Sequence, residues 1–246
     1  MSLRFDTSTS LGDIVAADYR AAGVFDRFGL DFCCAGKRTF GDACAAARLD
    51  PGAVAAELAK VPATSGTDDP PDASWPVEEL AHYIVRRHHG YVRQQLPVIA
   101  AHLEKLVAAH GERHPELRLI AGHFAELSSE LQSHMLREEQ VLFPYVQQLA
   151  ASAEYGVEPP VGIFGSVRNP IRMMEAEHRY AGDELGVIRG LSSNYSAPAD
   201  GCTTYRVCYE ELAAFDADLR QHIHLENNIL FPHAVSLESA VNELES

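Results

Sequence analysis

The chain has 246 residues, of which 46% are hydrophobic and 22% are charged, and its formal net charge is −15 at pH 7. An acidic surface repels nucleic acid and anionic membranes, so neither is expected as a partner. We expect no secretory signal, because no apolar stretch follows the first residues, and no apolar run approaches the roughly 18 residues that a membrane-spanning helix needs. Five cysteines, two of them adjacent, make a poor disulfide framework. We therefore expect a cytoplasmic protein with reduced thiols.

The first part of the chain is predicted to be a small helical domain over residues 1–61. Its alanine-rich sequence has helical spacing on both sides of a turn at residues 29–36, which contains Cys33 and Cys34. Residues 62–76 are rich in Pro, Ser, Thr, Gly and Asp, a composition typical of a flexible linker.

The rest of the chain is predicted to form four long helices, at about residues 76–110, 115–150, 168–191 and 203–236. In each of these segments apolar residues recur at steps of three and four, as on the buried face of a helix. Long helices joined by short loops favour an antiparallel bundle. The sequence thus predicts an all-α chain with a four-helix bundle over residues 77–240.

Each of the four buried faces carries polar residues in its middle. They are His89 on the first helix, His134 and Glu138 on the second, His178 on the third, and His222 and Glu226 on the fourth. A buried carboxylate costs several kcal/mol unless it is paired or binds a metal. No Lys or Arg stands at the same level of these faces, so a metal centre is the simplest explanation.

The spacing of these residues predicts two metal ions. His134 and Glu138 are four residues apart, as are His222 and Glu226, which places each pair on one helix face. Two carboxylates can bridge two ions, and the four histidines then provide two imidazoles for each ion. Mixed imidazole and carboxylate ligands suit iron or manganese, and helical bundles are known to hold di-iron centres.

An internal repeat strengthens this prediction. Residues 134–144 match residues 222–232 at the His, Glu, Leu, Phe and Pro positions. His89 precedes His134 by 45 residues, and His178 precedes His222 by 44. Each half of the bundle thus offers one isolated histidine followed by a His and Glu pair.

Other histidines compete less well for the centre. His88 points about 100° away from the buried face that His89 occupies. His110 lies on the same face as His89, but 21 residues along a straight helix correspond to about 31 Å. It remains a candidate ligand only if the chain folds back at Pro97 or at the end of the helix. His224 is predicted to be a surface or turn residue.

Three carboxylates are candidates for a supporting role. Glu139 is expected to be solvated or to hold a ligand from behind, and Glu175 and Glu177 are candidates for binding the far nitrogens of ligating histidines. Such histidines usually donate their second N–H group to an acceptor.

The adjacent Cys33 and Cys34 allow two interpretations. They are either small apolar residues that fill a tight turn, or a redox or metal-donor pair. In the second case Lys37 would favour the thiolate form.

The residues described so far carry a resemblance to a known family. The bundle resembles a hemerythrin-like domain, and nearly the whole chain is similar to the RIC family, the "repair of iron centres" proteins that include YtfE, ScdA and the related NorA. The matching strings are residues 31–37, 89–97, 133–135 with 138–139, 174–178, 202–205 and 222–228.

This resemblance implies a non-haem, oxo-bridged centre of two iron ions and a role in repairing iron-sulfur clusters damaged by oxidative or nitrosative stress. The protein would act as an iron donor to damaged iron-sulfur proteins, with nitric oxide or oxygen as small ligands and Cys33 and Cys34 as redox or iron-transfer residues. Alternatives are a nitric-oxide-binding di-iron protein, a nitric oxide reductase-type oxidoreductase, and a metal-free helical interaction protein. A homodimer is a further expectation.

Overall fold

The structure is a computed structural model that describes residues 5–61, 71–160, 162 and 164–244. Over these residues the chain is helical without a strand, apart from one isolated bridge between Ser10 and Thr39. The predicted all-α fold is confirmed. Residues 62–70 of the predicted linker lie outside the described part. No helix among the described residues is long and apolar enough to cross a membrane.

Four short helices form the N-terminal segment. They are α1 (Leu11–Ala17), α2 (Ala22–Arg27), α3 (Phe40–Ala47) and α4 (Pro51–Leu58). Ser10, Thr39 and Asp50 cap α1, α3 and α4, because each side chain accepts a hydrogen bond from a backbone N–H group of the first turn. The loop between α2 and α3 contains Cys33 and Cys34.

The remaining helices are α5 (Val77–Ile84), α6 (Gly90–His110), α7 (Glu116–Arg137), α8 (Phe143–Tyr155), α9 (Arg168–Leu191), α10 (Thr203–Leu225) and α11 (Phe231–Leu244). Helices α6, α7, α9 and α10 form a four-helix bundle in which α6 and α9 each contact both α7 and α10. Neighbouring helices in this ring run antiparallel. For example, His123 of α7 bonds to Glu184 of α9 while His134 bonds to Glu177.

Three of the four predicted helices are interrupted by a π-helical turn. These turns span Val85–His89, Glu138–Leu142 and Glu226–Leu230, and they join α5 to α6, α7 to α8, and α10 to α11. In the last two, the N–H groups of Phe143 and Phe231 donate to residues five positions earlier. A proline follows each Phe and lacks the N–H group that an α-helical bond would need.

The buried apolar side chains form two clusters. One combines the N-terminal segment with the adjoining half of the bundle and includes Phe32, Phe124 and Phe215. The other lies where α5, α8 and α11 pack together and includes Ile84 and Val146. The polar residues predicted in the middle of the buried faces lie between the two clusters, which shield them from solvent on both sides.

The N-terminal segment contacts the π turn between α10 and α11 through Asn228. Its side-chain amide donates to the carbonyl oxygen of Phe32 at 3.1 Å. A Cβ atom at Gly12 would lie 2.5 Å from the Asn228 oxygen, and one at Gly36 would lie 2.5 Å from the Phe32 oxygen. Only residues without a side chain fit at these two positions. Arg220 of α10 adds an ion pair with Asp26 at 2.5 Å.

Candidate metal centre

Six polar side chains meet in the middle of the bundle, and none of them is more than 3% exposed. His134 and His222 come from the last turns of α7 and α10, and His178 comes from the middle of α9. The other three belong to π turns: His89 ends the first, and Glu138 and Glu226 begin the other two. π turns occur frequently at functional sites.

The six residues form two groups that share both carboxylates. His89 and His222 belong to one group, His134 and His178 belong to the other, and Glu138 and Glu226 belong to both. The ligand atoms within each group lie within 4.8 Å of one another.

Each carboxylate directs one oxygen at each imidazole pair. The two oxygens of Glu138 lie 3.4 Å from His89 Nε2 and 3.2 Å from His134 Nε2. Those of Glu226 lie 2.9 Å from His222 Nε2 and 3.0 Å from His178 Nε2. This is the arrangement that two carboxylates need to bridge a pair of cations.

The imidazoles point their Nε2 atoms at each other. His89 Nε2 lies 3.1 Å from His222 Nε2, and His134 Nε2 lies 3.0 Å from His178 Nε2. Where the opposite ring nitrogen donates its hydrogen to an acceptor, a neutral imidazole presents a lone pair at Nε2. Two lone pairs at this distance repel, unless a proton or a cation lies beside them.

Three of the four rings have an acceptor behind them at Nδ1. These bonds join His89 to Glu139 at 2.6 Å, His134 to Glu177 at 2.7 Å, and His178 to Asn227 at 2.8 Å. Arg93 and Arg137 pair in turn with the two glutamates, at 2.7 and 2.6 Å. Acceptors of this kind fix the ring orientation and leave Nε2 free to bind a metal.

The charges of the cluster are strongly coupled. Burial disfavours the charged form of His89 and His134, but Glu138 and Glu226 outweigh it and raise the pKa of both histidines to about 10. For His222 burial dominates and lowers the pKa. Burial and the charge of Glu226 oppose ionisation of Glu138, yet His134 and His89 lower its pKa to about 2. A positive charge at the Nε2 atoms is therefore what stabilises the two carboxylates.

The six buried side chains are better satisfied by metal cations than by protons. Both oxygens of Glu138 are fully buried without a hydrogen bond, although each lies within ion-pair distance of one imidazole. A buried acceptor left without a partner costs about 1–3 kcal/mol. A cation between each imidazole pair would engage these oxygens together with the facing Nε2 lone pairs.

Comparison with known sequences agrees with this geometry. Residues 80–234 match the family described as Hemerythrin HHE cation binding domain, and residues 7–62 match ScdA_N, a domain of unknown function. The iron-sulfur cluster repair protein YtfE of Musicola paradisiaca is 36% identical over 233 residues, covering 94% of this chain and 97% of the relative. The YtfE proteins of Enterobacter sp. and Citrobacter koseri are 35% and 34% identical over 231 residues, covering 93% of this chain and 97% of each relative.

The chain belongs to the YtfE family of iron-sulfur cluster repair proteins. The predicted family resemblance is confirmed. The Hemerythrin HHE match also assigns a cation-binding domain to the helices that carry the six side chains.

Neither His88 nor His110 belongs to the two ligand groups of this YtfE-family chain. His88 is buried against Asp218, with 3.1 Å between its Nδ1 atom and a carboxylate oxygen, and its ring stacks on His222. Helix α6 continues through Pro97 to His110, so the chain does not fold back. His110 Nε2 instead lies 3.4 Å from the Cys202 sulfur, and the structure does not support His110 as a ligand.

Three other sequence-based expectations were wrong. His224 is only 1% exposed because the N-terminal segment covers it with the rings of Tyr19 and Phe32. Glu175 contacts no histidine of the centre and pairs with Lys37 at 2.6 Å. Lys37 is therefore engaged on α9 instead of beside the thiols that it was expected to activate.

The structure brings the thiol turn next to the centre. The Cys34 thiol donates a hydrogen bond of 3.4 Å to the carbonyl oxygen of His178. The Cys33 carbonyl accepts a hydrogen bond of 3.2 Å from the Asn227 side chain. Asn227 was not predicted as a site residue, although it follows Glu226 directly within a string that matches the family.

Proposed function

We propose that this chain repairs damaged iron-sulfur clusters by donating iron from a di-iron centre held by His89, His134, Glu138, His178, His222 and Glu226. The observation that carries the proposal is the shared pair of carboxylates, each with one oxygen beside each facing imidazole pair. The repair function is inferred from the names of the relatives. The buried ligand side chains support two bound cations and not one.

The residues of the chain would hold the ions in a defined way. Glu138 and Glu226 would span both ions, while two imidazoles bind each ion through Nε2. Glu139, Glu177 and Asn227 would keep the proton of each bonded imidazole on Nδ1, so that Nε2 stays available. When bound, iron at such a centre supplies transferable ferrous ions and open positions for small molecules such as nitric oxide or oxygen.

The modest number of protein ligands supports donation over permanent storage. Each ion would receive two imidazoles and a share of two carboxylates, with no thiolate among the six residues. At a given site of nitrogen and oxygen ligands, ferrous iron is bound less tightly than the later divalent metals of the first transition row, which favours its release. Cys33 and Cys34, which lie beside the centre, are proposed as the redox or iron-transfer residues.

A reconstitution assay tests this proposal. An apo iron-sulfur protein is incubated with sulfide and the iron-loaded chain, with a ferrous chelator present to remove free iron. We expect cluster recovery to be faster than with the same amount of ferrous salt. Glu138→Ala combined with Glu226→Ala is the control, because it removes both bridging carboxylates.

The outcomes of this assay separate the candidate functions. Recovery no faster than with ferrous salt would contradict iron donation. If nitric oxide then binds the iron-loaded chain reversibly and without loss of iron, the chain is a nitric-oxide-binding protein instead. Repeated turnover of nitric oxide with a reductant would identify a reductase.

A further inference from the structure

A second cluster of metal-binding atoms lies in the turn between α2 and α3. Asp31, Cys33 and Cys34 place one carboxylate oxygen and two sulfur atoms within 4.8 Å of one another. The two sulfurs are 3.9 Å apart, and the Cys33 sulfur is 3.3 Å from Asp31 Oδ1. None of these atoms belongs to the six-residue centre.

The two distances from the Cys33 sulfur are close to those between ligand atoms of a tetrahedral site. With metal–sulfur bonds of about 2.3 Å and a metal–oxygen bond of about 2.0–2.2 Å, tetrahedral angles separate two sulfurs by about 3.8 Å and a sulfur from an oxygen by about 3.5 Å. The observed separations differ from these values by a few tenths of an ångström. Adjacent cysteines can therefore bind one cation here without a large movement of the backbone.

The backbone holds the three side chains in this arrangement. Asp31 Oδ1 accepts hydrogen bonds from the N–H groups of Cys33 and Cys34, at 3.1 and 2.9 Å, which fixes the turn. Helix α9 has Gly182 where it passes the turn, and a Cβ atom there would lie 3.2 Å from the Cys34 sulfur. The close packing against α9 leaves the thiols little freedom to separate.

The fourth corner of the tetrahedron has space for an outside ligand. Asp31, Cys33 and Cys34 line a cavity of about 320 Å³ whose wall also contains Arg179 and Asp183 of α9. Three ligands and an open position are typical of sites where the metal exchanges or reacts, whereas structural sites have four protein ligands. The wall carries three arginines, Arg179, Arg189 and Arg220, against Asp26 and Asp183, and this surplus of positive charge would offset the excess negative charge of two thiolates and a carboxylate around a divalent ion.

The negative charges around Cys33 would be balanced by a bound cation. The neighbouring Cys34 thiol, burial and the Asp31 carboxylate hold the pKa of Cys33 well above its usual range. Lys37, the nearby cation in the sequence, pairs with Glu175. Three donors that disfavour one another's negative charge are stabilised together by a cation that all three bind.

We propose that Asp31, Cys33 and Cys34 form a mononuclear site for a thiophilic divalent cation such as Zn(II), with its fourth position open to the cavity. Binding replaces the S–H bonds of both cysteines with metal–sulfur bonds and releases the two protons to solvent. The Cys34 hydrogen bond to the His178 carbonyl is given up in this exchange. The site does not rest on the repair function, because it needs only these three donors.

Cobalt(II) is the probe, since thiolate ligands give it an intense near-ultraviolet charge-transfer absorption that histidine and carboxylate ligands do not. Cobalt(II) is added without oxygen to the iron-loaded full chain, and iron content is measured in parallel. We expect the band to develop at one cobalt per chain and to disappear when Zn(II) displaces the cobalt. Any cobalt entering the six-residue centre is silent in this band, so the result is independent of that centre.

Three variants complete the test. Asp31→Asn keeps an oxygen to accept the two N–H bonds but loses the charge, and it should weaken cobalt binding by about tenfold or more, as even supporting residues of metal sites do. Cys33→Ser with Cys34→Ser should abolish the band. Cys208→Ser should leave it unchanged, because burial raises the pKa of that thiol to about 12 and it lies elsewhere on α10.

Two results would overturn the proposal. One is the absence of a charge-transfer band in the wild-type chain, and the other is a band that persists in the double serine variant. Circular dichroism of each variant establishes that it is folded. If the double serine variant unfolds, the comparison of wild type with Asp31→Asn decides, because equal cobalt affinity of these two would exclude the site.

Discussion

Glu177 accepts a hydrogen bond of 2.7 Å from the Nδ1 atom of His134, while its near neighbour Glu175 faces Lys37. The two glutamates are two residues apart on α9, yet only one of them touches a candidate metal ligand. This difference provides a matched pair of variants for testing the centre.

Glu177→Ala should weaken iron binding by about 10–100-fold, because acceptors behind ligating histidines contribute that much to metal affinity. Glu175→Ala is the control and should retain wild-type affinity, because it removes only an exposed pair with Lys37. Competition with a ferrous chelator measures both. Equal loss of iron in the two variants would contradict the role assigned to Glu177.

The bridging carboxylates give a prediction about metal content. We expect about two irons per wild-type chain, as in a carboxylate-bridged pair, and loss of this iron in Glu138→Ala with Glu226→Ala. Metal analysis after anaerobic purification measures the content. Iron that survives the loss of both glutamates would refute the shared-carboxylate centre, and wild-type protein without iron would return attention to other metals or to a metal-free bundle.

Metal loading should release protons near neutral pH. Because the pKa of His89 and of His134 is raised to about 10 in the metal-free chain, both imidazoles are protonated at pH 8 and must lose their protons to bind a cation. We expect up to about two protons per chain from these residues, with the release falling as pH rises through about 10. An indicator dye in weak buffer reports the release.

The same raised pKa of His89 and His134 affects the stability of the metal-free chain. The protonated imidazoles contribute stability that is fully present below pH 6.5 and is lost as pH rises through about 10.

The packing of Gly36 against Asn228 predicts that a larger side chain at this position destabilises the chain. Gly36→Ala places a methyl group against the Phe32 carbonyl and the Asn228 side chain, and such overpacking costs about 1–3 kcal/mol. Gly23→Ala is the control, since a Cβ atom there meets nothing within 4 Å and alanine favours a helix. The free energy of unfolding in urea measures both. A Gly36→Ala chain as stable as wild type would show that the segment docks less tightly than described.

The sequence predicted the helices and the grouping of the six polar residues because a period of 3.6 residues marks the face that each helix buries. It did not predict the π turns, each of which inserts one extra residue and rotates the following face by about 100°, so that Leu142 is buried and Val141 is exposed. It was also wrong about His224, whose burial depends on Tyr19 and Phe32 from a distant part of the chain. The spacing of apolar residues within one helix indicates which face is buried in the bundle. It does not indicate which residues are buried by a separate segment of the chain.

The side chain of Asn227 joins the thiol turn to the centre through a single amide group. Its oxygen accepts from His178 while its nitrogen donates to the Cys33 carbonyl, so neither bond survives a rotation of the amide by half a turn. The N-terminal segment thereby selects which tautomer of His178 exists. A chain cut after the linker would let the amide turn over and offer its N–H group to His178 Nδ1, which would move the imidazole proton to the nitrogen that faces the centre.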